Sequence, residues 1–343
     1  MFEILVSLCL VGQPDLCQAR LVPTDAPDCA TALARAAKVA PEWGAGFTAG
    51  PPECVPRRAS TLAFSEIAPG VYVHRGQVAD VAPENLGDVA NIGFVIGRDS
   101  VAVIDSGGSR AIGEEVYLAV RAVTPKPISH IILTHMHPDH VFGASVLAEA
   151  DAEIIGHRKL AQALNARAET YEASFARLIG PGFSASRAPL AITPVADSTV
   201  IDLGARALVL VPWETAHSES DLTVFDGETA TLFAGDLLFD EHSPALDGSL
   251  LGWLRVLDAM GTPPPARVVP GHGGPVMGWP EGGEALRRYL ETLRDETRIA
   301  VADGLRLSEA VETVGQDEAD NWHLFDLFHR RNVTAAFTEL EWE

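Results

Sequence analysis

The apolar run ISHIIL at residues 128–133 ends in THMHPDH, Thr134 to His140, which places three histidines and an aspartate within six residues at the end of a strand. A run that turns so polar must leave the core there, so one strand end and the start of the next element are set together. On extended chain alternate residues share a side, and His135 and His137 therefore project together. Pro138 suits the first position of a helix, and PDHVFGASVLAEA reads as that helix, with Asp139 and His140 in its first turn. A cation beside a helix amino terminus is disfavoured by the dipole, which the Asp139 carboxylate offsets. Any one of these histidines is unexceptional in a loop. Three with a carboxylate at this spacing are the donor types that zinc takes.

Further donors stand after later strands. His217 follows RALVLVPWETA, Asp236 follows ATLFAG, and His272 follows ARVVPG, each expected where a strand gives way to a loop. These are the residues a second ion needs. His74, His130, His157, His242, His323 and His329 lack that placement and read as core or surface residues, with His157 and His242 also candidates for a pocket wall. Asp105, in VIDSGGS, reads as a turn residue supporting the site rather than as a ligand.

From about Leu62, GVYVHRG, NIGFVIG and SVAVID read as successive strands, SRAIGEEVYLAVRAV as a helix, and PISHIILT as a strand. Beyond the histidine cluster come a long helix in RKLAQALNARAETYEASFARLIG and four strands, STVIDL, RALVLVP, DLTVFDG and ATLFAGD. A helix at GSLLGWLRVLDAM, a strand at ARVVPG and helices from GEALRRYLETLRDETRIAVADG onward close the chain. Two sheets with helices outside make an α/β fold, a four-layer α/β/β/α sandwich. The Pro- and Gly-rich TAGPPECVPRR separates a Cys-containing N-terminal segment, residues 1–60, from a larger domain, residues 61–343.

All four cysteines, Cys9, Cys17, Cys29 and Cys54, fall in the N-terminal segment. Two disulfides are expected there, ahead of buried thiols or a metal site, with three pairings open. MFEILVSLCLVG has the apolarity of a signal peptide, but it carries Glu3, lacks a cationic start and reads equally as a strand with alternating faces. Disulfides imply an oxidising space such as the periplasm, the cytoplasm being the alternative. The net charge of −22 repels phosphate backbones, so nucleic acid is not an expected partner. No apolar run is long enough for a membrane-spanning helix.

The motifs THMHPDH, AGDLLF with Asp236, VVPGHGG with His272, and the isolated His217 resemble those of the metallo-β-lactamase fold superfamily over roughly residues 62–290. The resemblance implies one zinc on His135, His137 and His217, a second on Asp139, His140 and His272, and Asp236 bridging the two. FEILVSLCL, HPDHVFGA, TAHSESDLTVFD and LFHRRNVTAAFTELEWE are similar to the quinoprotein relay system zinc metallohydrolases, which implies a quinoprotein pathway as partner. WETAHSES stands where thioesterases of the glyoxalase II type have TPGHT, and His137 stands where the diiron branch has Glu.

Zinc brings the pKa of its water to about 7, so hydroxide is available near neutrality without a Ser or Cys nucleophile. Asp139 is the expected catalytic residue, orienting that hydroxide. The expected function is a dizinc hydrolase using a metal-bound hydroxide on an ester, thioester or amide-like bond of a small molecule. The alternatives are a non-catalytic metal-binding accessory protein of the same pathway and an iron-dependent oxidoreductase.

Overall fold

In the strand Val101–Ile104, Val101 and Val103 face one apolar cluster while Ala102 and Ile104 face another, and all four are buried. A strand covered on both faces belongs inside a layered structure. The computed structural model describes residues 2–343 except 25, 27, 37–42, 44, 45 and 190.

A small N-terminal sheet holds β1 (Phe2–Leu10), β2 (Gln13–Val22), β3 (Phe47–Ala49) and β4 (Glu53–Pro56), beside helix α1 (Cys29–Ala36). β1 and β2 are a hairpin in which Cys9 lies opposite Cys17, and these two form a disulfide. Cys29 and Cys54 form the second disulfide, joining α1 to β4. The hairpin is tied to the rest of the chain: Arg20 donates to the Gly182 and Ser184 carbonyls, and the buried Arg110 guanidinium donates to the Leu21 carbonyl at 2.8 Å.

The first large sheet contains β5 (Phe64–Ala68), β6 (Val71–His74), β7 (Ile92–Ile96), β8 (Val101–Ile104), β9 (Ile128–Leu133), β10 (Glu153–His157) and β11 (Thr193–Val195). They lie side by side in chain order, antiparallel from β5 to β8 and parallel from β8 to β11. The second sheet holds β12 (Thr199–Asp202), β13 (Ala207–Pro212), β14 (Leu222–Asp226), β15 (Thr231–Phe239) and β16 (Arg267–His272), antiparallel except for the last pair. Val71, Val95 and Ile132 of one sheet meet Leu208, Leu210, Phe233 and Val269 of the other in a shared core.

Helices cover the outer faces. α2 (Arg110–Val123) begins at Ser109, whose side chain accepts the Ile112 N–H, and packs Ile112 and Val116 near Val103, Ile131 and Leu133. On the second sheet, α6 (Leu250–Ala259), α7 (Glu284–Ala302) and α9 (Phe325–Leu340) bury Trp253, Leu290 and Val333 with Leu232, Ala234 and Val268. α8 (Leu307–Thr313) joins α7 to α9. The result is the expected α/β/β/α sandwich with an added disulfide-linked sheet. No helix among the described residues is long and apolar enough to cross a membrane.

The structure corrects three sequence expectations. PDHVFGASVLAEA is two short helices, α3 (Pro138–Val141) and α4 (Ala144–Ala148), because the His140 carbonyl accepts from Ser106 N–H at 2.8 Å and Ser106 Oγ at 2.7 Å instead of continuing the helix. Asp236 does not end a strand. It lies inside β15, where the pairing with β16 slips on both sides of Gly235. β2 to β5, β10 and β11 were not expected, and β10 is only five residues long with Gly156 in its fourth position. α5 (Leu160–Ile179) occupies the place expected of the long helix.

Candidate metal site

Turns at the ends of β9, β13 and β16 and the irregular middle of β15 bring seven side chains together. His135, His137, His217 and Asp236 form one group with donor atoms within 4.8 Å of one another, and Asp139, His140 and His272 form another. All the candidate ligands read from the sequence are in these two groups. In the first, His137 Nδ1 lies 3.1 Å from His135 Nε2 and 2.8 Å from His217 Nε2. In the second, His272 Nε2 lies 3.3 Å from Asp139 Oδ2 and 3.4 Å from His140 Nε2. Asp236 stands between them, with Oδ2 3.6 Å from His135 Nε2 and 3.4 Å from His217 and His272 Nε2, and Oδ1 3.1 Å from His140 Nε2.

These separations fit metal ions. Four donors about 2.1 Å from a tetrahedral zinc are about 3.4 Å apart. The second nitrogens of the rings support the same reading, since each is held by an acceptor. His217 Nδ1 meets the Ala245 carbonyl at 2.6 Å, His272 Nδ1 the Val89 carbonyl at 2.9 Å, and His140 Nδ1 the Asp105 Oδ2 at 2.8 Å. His137 Nε2 meets Asp247 Oδ2 at 3.1 Å, and His135 Nδ1 meets Thr134 Oγ1 at 3.0 Å. A ring that donates through its outer nitrogen presents a lone pair through the other, as metal binding requires.

Burial sharpens the demand for a cation. Asp236 is buried and its Oδ1 accepts no hydrogen bond, although His140 Nε2 is 3.1 Å away. Burial opposes charge on Asp236, yet His272, His140, His135 and His217 around it hold its carboxyl well below the usual range. Burial also pushes His217 down to about 3, and His135 well below its ordinary value, so both rings are neutral near pH 7. Against burial, the Asp236 charge in turn pushes His140 well above its ordinary value and His272 up to about 9, so this buried carboxylate, with two neutral and two charged imidazoles around it, is a centre at which a bound cation can replace the imidazolium charge.

Local backbone geometry shapes the site. Gly235 has φ +54°, and a Cβ there would come within 2.7 Å of the Thr134 side chain. Asp105, expected as a supporting turn residue, accepts from both Thr134 N–H and Thr134 Oγ1 at 2.8 Å as well as from His140. Asp247, which sequence reasoning did not single out, holds His137 and is itself paired with Arg167, which also donates to Tyr171. Burial would raise the Asp247 carboxyl, but His137 and Arg167 hold it well below the usual range. Its only sequence signal is membership of the loop FDEHSPALDGS. Of the two candidate pocket histidines, His242 lines the cavity beside the site, 4.7 Å ring to ring from His272, whereas His157 is buried elsewhere and accepts the Lys159 N–H. The cavity has a volume of about 260 Å³ and opens onto His137, Asp139, Asp236 and His272.

An α/β/β/α sandwich carrying two adjoining His/Asp groups is consistent with a binuclear metal site. The family model of the metallo-beta-lactamase superfamily matches residues 86–272, more than half of the chain, and the protein belongs to that superfamily. Among solved structures, it is similar to a metallo-beta-lactamase from Pontibacter korlensis, at 17% identity and a TM-score of 0.54, over 67% of this chain and 99% of that one. It is also similar to TMB-1, at 19% identity and a TM-score of 0.52 over 67% of this chain and 97% of that one, and to the metallo-beta-lactamase DIM-1, at 16% and 0.53 over 68% and 99%. These likenesses show the fold. No curated protein matches the chain significantly.

Proposed function

We propose that the protein is a dizinc hydrolase acting on an ester, thioester or amide-like bond of a small molecule. The observation that carries the reading is Asp236, a buried carboxylate with an unbonded oxygen set between two groups of imidazole and carboxylate donors. In this reading His135, His137 and His217 hold one ion, Asp139, His140 and His272 the other, and Asp236 bridges them. Bound zinc supplies a hydroxide nucleophile near neutral pH and polarises the scissile carbonyl.

The chain's own residues do the rest. Asp105, Asp247, Thr134 and the Ala245 and Val89 carbonyls orient the imidazoles, so little reorganisation accompanies reaction. Asp139 is less enclosed than Asp236, its side chain being 16% exposed, and it lies on the cavity wall, where it can accept a proton from the attacking water and return it to a leaving group. Phe239, Leu246 and Phe175 give the same cavity an apolar wall.

The wider setting follows the sequence resemblance: service to a quinoprotein dehydrogenase pathway in the periplasm, with residues 1–60 as a distinct segment. The two disulfides support an oxidising compartment. Zinc-loaded protein should hold two ions per chain and cleave members of a broad ester and thioester panel. Two ions with no turnover on any member would leave a non-catalytic metal-binding role, and one iron with oxygen consumption would make it an oxidoreductase.

A further inference from the structure

α9 supplies Phe328, Arg331 and Asn332 to the wall of the cavity that opens onto Asp139, Asp236 and His272. Residues three and four apart share one helix face. α9 lies beyond residue 272, where the match to the family model ends, so this wall is a feature of the chain's own C-terminal helices.

The three residues differ in what they are free to do. Asn332 is fully engaged: it donates to the Pro244 carbonyl at 2.6 Å and to Tyr289 Oη at 2.8 Å, and accepts the Leu246 N–H at 2.9 Å. It thereby anchors the loop that carries Ala245 and Asp247. Phe328 packs on His242, ring centroids 4.9 Å apart. Arg331 is exposed and makes no hydrogen bond or ion pair among the described residues.

That freedom is unusual in this molecule. With Asp+Glu 47 against Lys+Arg 25, most arginines find a carboxylate. Nearby, Arg167 is paired with Asp247, Arg330 with Glu312 and Arg75 with Glu241. Two further carboxylates on the cavity wall are already occupied, Asp247 by His137 and Arg167, and Asp80 by the Val81 N–H at 2.8 Å. A guanidinium left open at the rim presents a planar fork of donors matched to a carboxylate. The same cavity wall carries apolar Phe328, Phe239, Leu178 and Val81. The volume, about 260 Å³, falls below the ~300–1,000 Å³ of pockets for drug-sized ligands and suits a small molecule.

We infer that Arg331 is a specificity-determining residue that receives a carboxylate of the substrate, which makes the substrate class a small carboxylate-bearing ester or thioester whose apolar or aryl body lies against Phe328. The inference rests on the hydrolase reading and narrows it.

The test uses zinc-loaded full-length protein and pairs of aryl esters identical except that a distal carboxylate in one is a carboxamide in the other. Wild type should favour the carboxylate member by about 10- to 100-fold in kcat/KM, through KM. Arg331→Gln should bring that ratio close to one, and Arg331→Lys should keep part of it. Equal use of the two esters by wild type, or a ratio that survives in Arg331→Gln, would overturn the assignment. Turnover of neither ester would count against the hydrolase reading alone, and calorimetric titration with phenylacetate and phenylacetamide then decides the role of Arg331. Tighter binding of phenylacetate that disappears in Arg331→Gln supports it. Equal affinities, or a preference that the variant retains, refute it.

Discussion

His140 Nδ1 and Asp105 Oδ2 are 2.8 Å apart, a hydrogen bond made by an aspartate whose backbone is left-handed at φ +59°. A non-glycine residue held there costs about 1–2 kcal/mol, which the surrounding structure must offset. It does so through Thr134, whose N–H and hydroxyl both donate to the same carboxylate. Asp105 therefore joins the β8 end to the turn that carries His135, His137 and His140.

Asp105→Asn tests that relationship. An amide has one acceptor oxygen, so its nitrogen would face either Thr134 N–H or the His140 Nδ1 proton, and the imidazole would lose its fixed orientation. Affinity for the second metal should fall by about 10- to 100-fold, measured by competition with a chromophoric chelator. An unchanged affinity would show that His140 is oriented without Asp105.

The residues legible in the sequence were those whose geometry is local. His135, His137, Asp139 and His140 could be read because strand and turn periodicity places neighbours in sequence on one side. His217, Asp236 and His272 were legible only as polar residues near strand ends, and for Asp236 the reading misplaced the strand end because nothing local marks the slipped pairing around Gly235. Asp247 was missed because its bond to His137 joins residues 110 apart, and no spacing rule reaches that far. The same reason explains the single helix expected after Pro138, since the Ser106 that captures the His140 carbonyl arrives from another strand end. The disulfides were expected as a pair of bonds, whereas their partners depended on the hairpin register that sets Cys9 against Cys17.

Asp236→Asn should separate a coupled two-metal site from two independent ones. The substitution keeps the shape but removes the charge and one metal-binding oxygen, from a position within 3.6 Å of four imidazole nitrogens. Metal content should drop from two ions toward one, and turnover by at least about 100-fold, while the metal-free variant melts as cooperatively as wild type. Two ions per chain with near-normal rates would mean that Asp236 bridges nothing.

Asp221 gives a pH signature that can be read in the metal-free protein. It is buried and accepts from neutral donors, Ser218 Oγ at 2.7 Å and Ser218 N–H at 2.9 Å, and burial, helped by the Asp236 charge, pushes its carboxyl up to about 7. A folded-state value above the unfolded one near 3.8 means that its contribution to stability is complete below about pH 4 and is lost as pH rises through about 7. In urea unfolding of metal-free protein, wild type should therefore lose a few kcal/mol relative to Asp221→Asn between pH 4 and 7, then run parallel to it. A difference that stays flat over that interval would place an ionised, normally titrating carboxylate at this position.

Gly271 offers a steric test of the same centre. It immediately precedes His272 at the end of β16, and a Cβ built on it would strike Asp236 Oδ1 while lying 2.8 Å from the Gly235 carbonyl carbon and 2.9 Å from the Asp236 nitrogen. Two of those three contacts are with backbone, so the clash cannot be relieved by turning a side chain, and β15 and β16 must move apart where Asp236 and His272 meet. Gly271 also holds the neighbouring loop, its carbonyl accepting the Asn91 N–H at 2.7 Å. Gly271→Ala should thus destabilise the fold by about 1–3 kcal/mol and weaken metal binding, which together distinguish it from a purely structural lesion elsewhere. Gly227→Ala is the matched control, because a Cβ there meets only Phe225 Cε1, at 4.0 Å. Thermal melting with and without zinc reads both effects: the zinc-dependent rise in Tm should shrink in Gly271→Ala and persist in Gly227→Ala. An undiminished zinc-dependent rise in Gly271→Ala would show that the close approach of β16 to Asp236 does not set the position of the carboxylate.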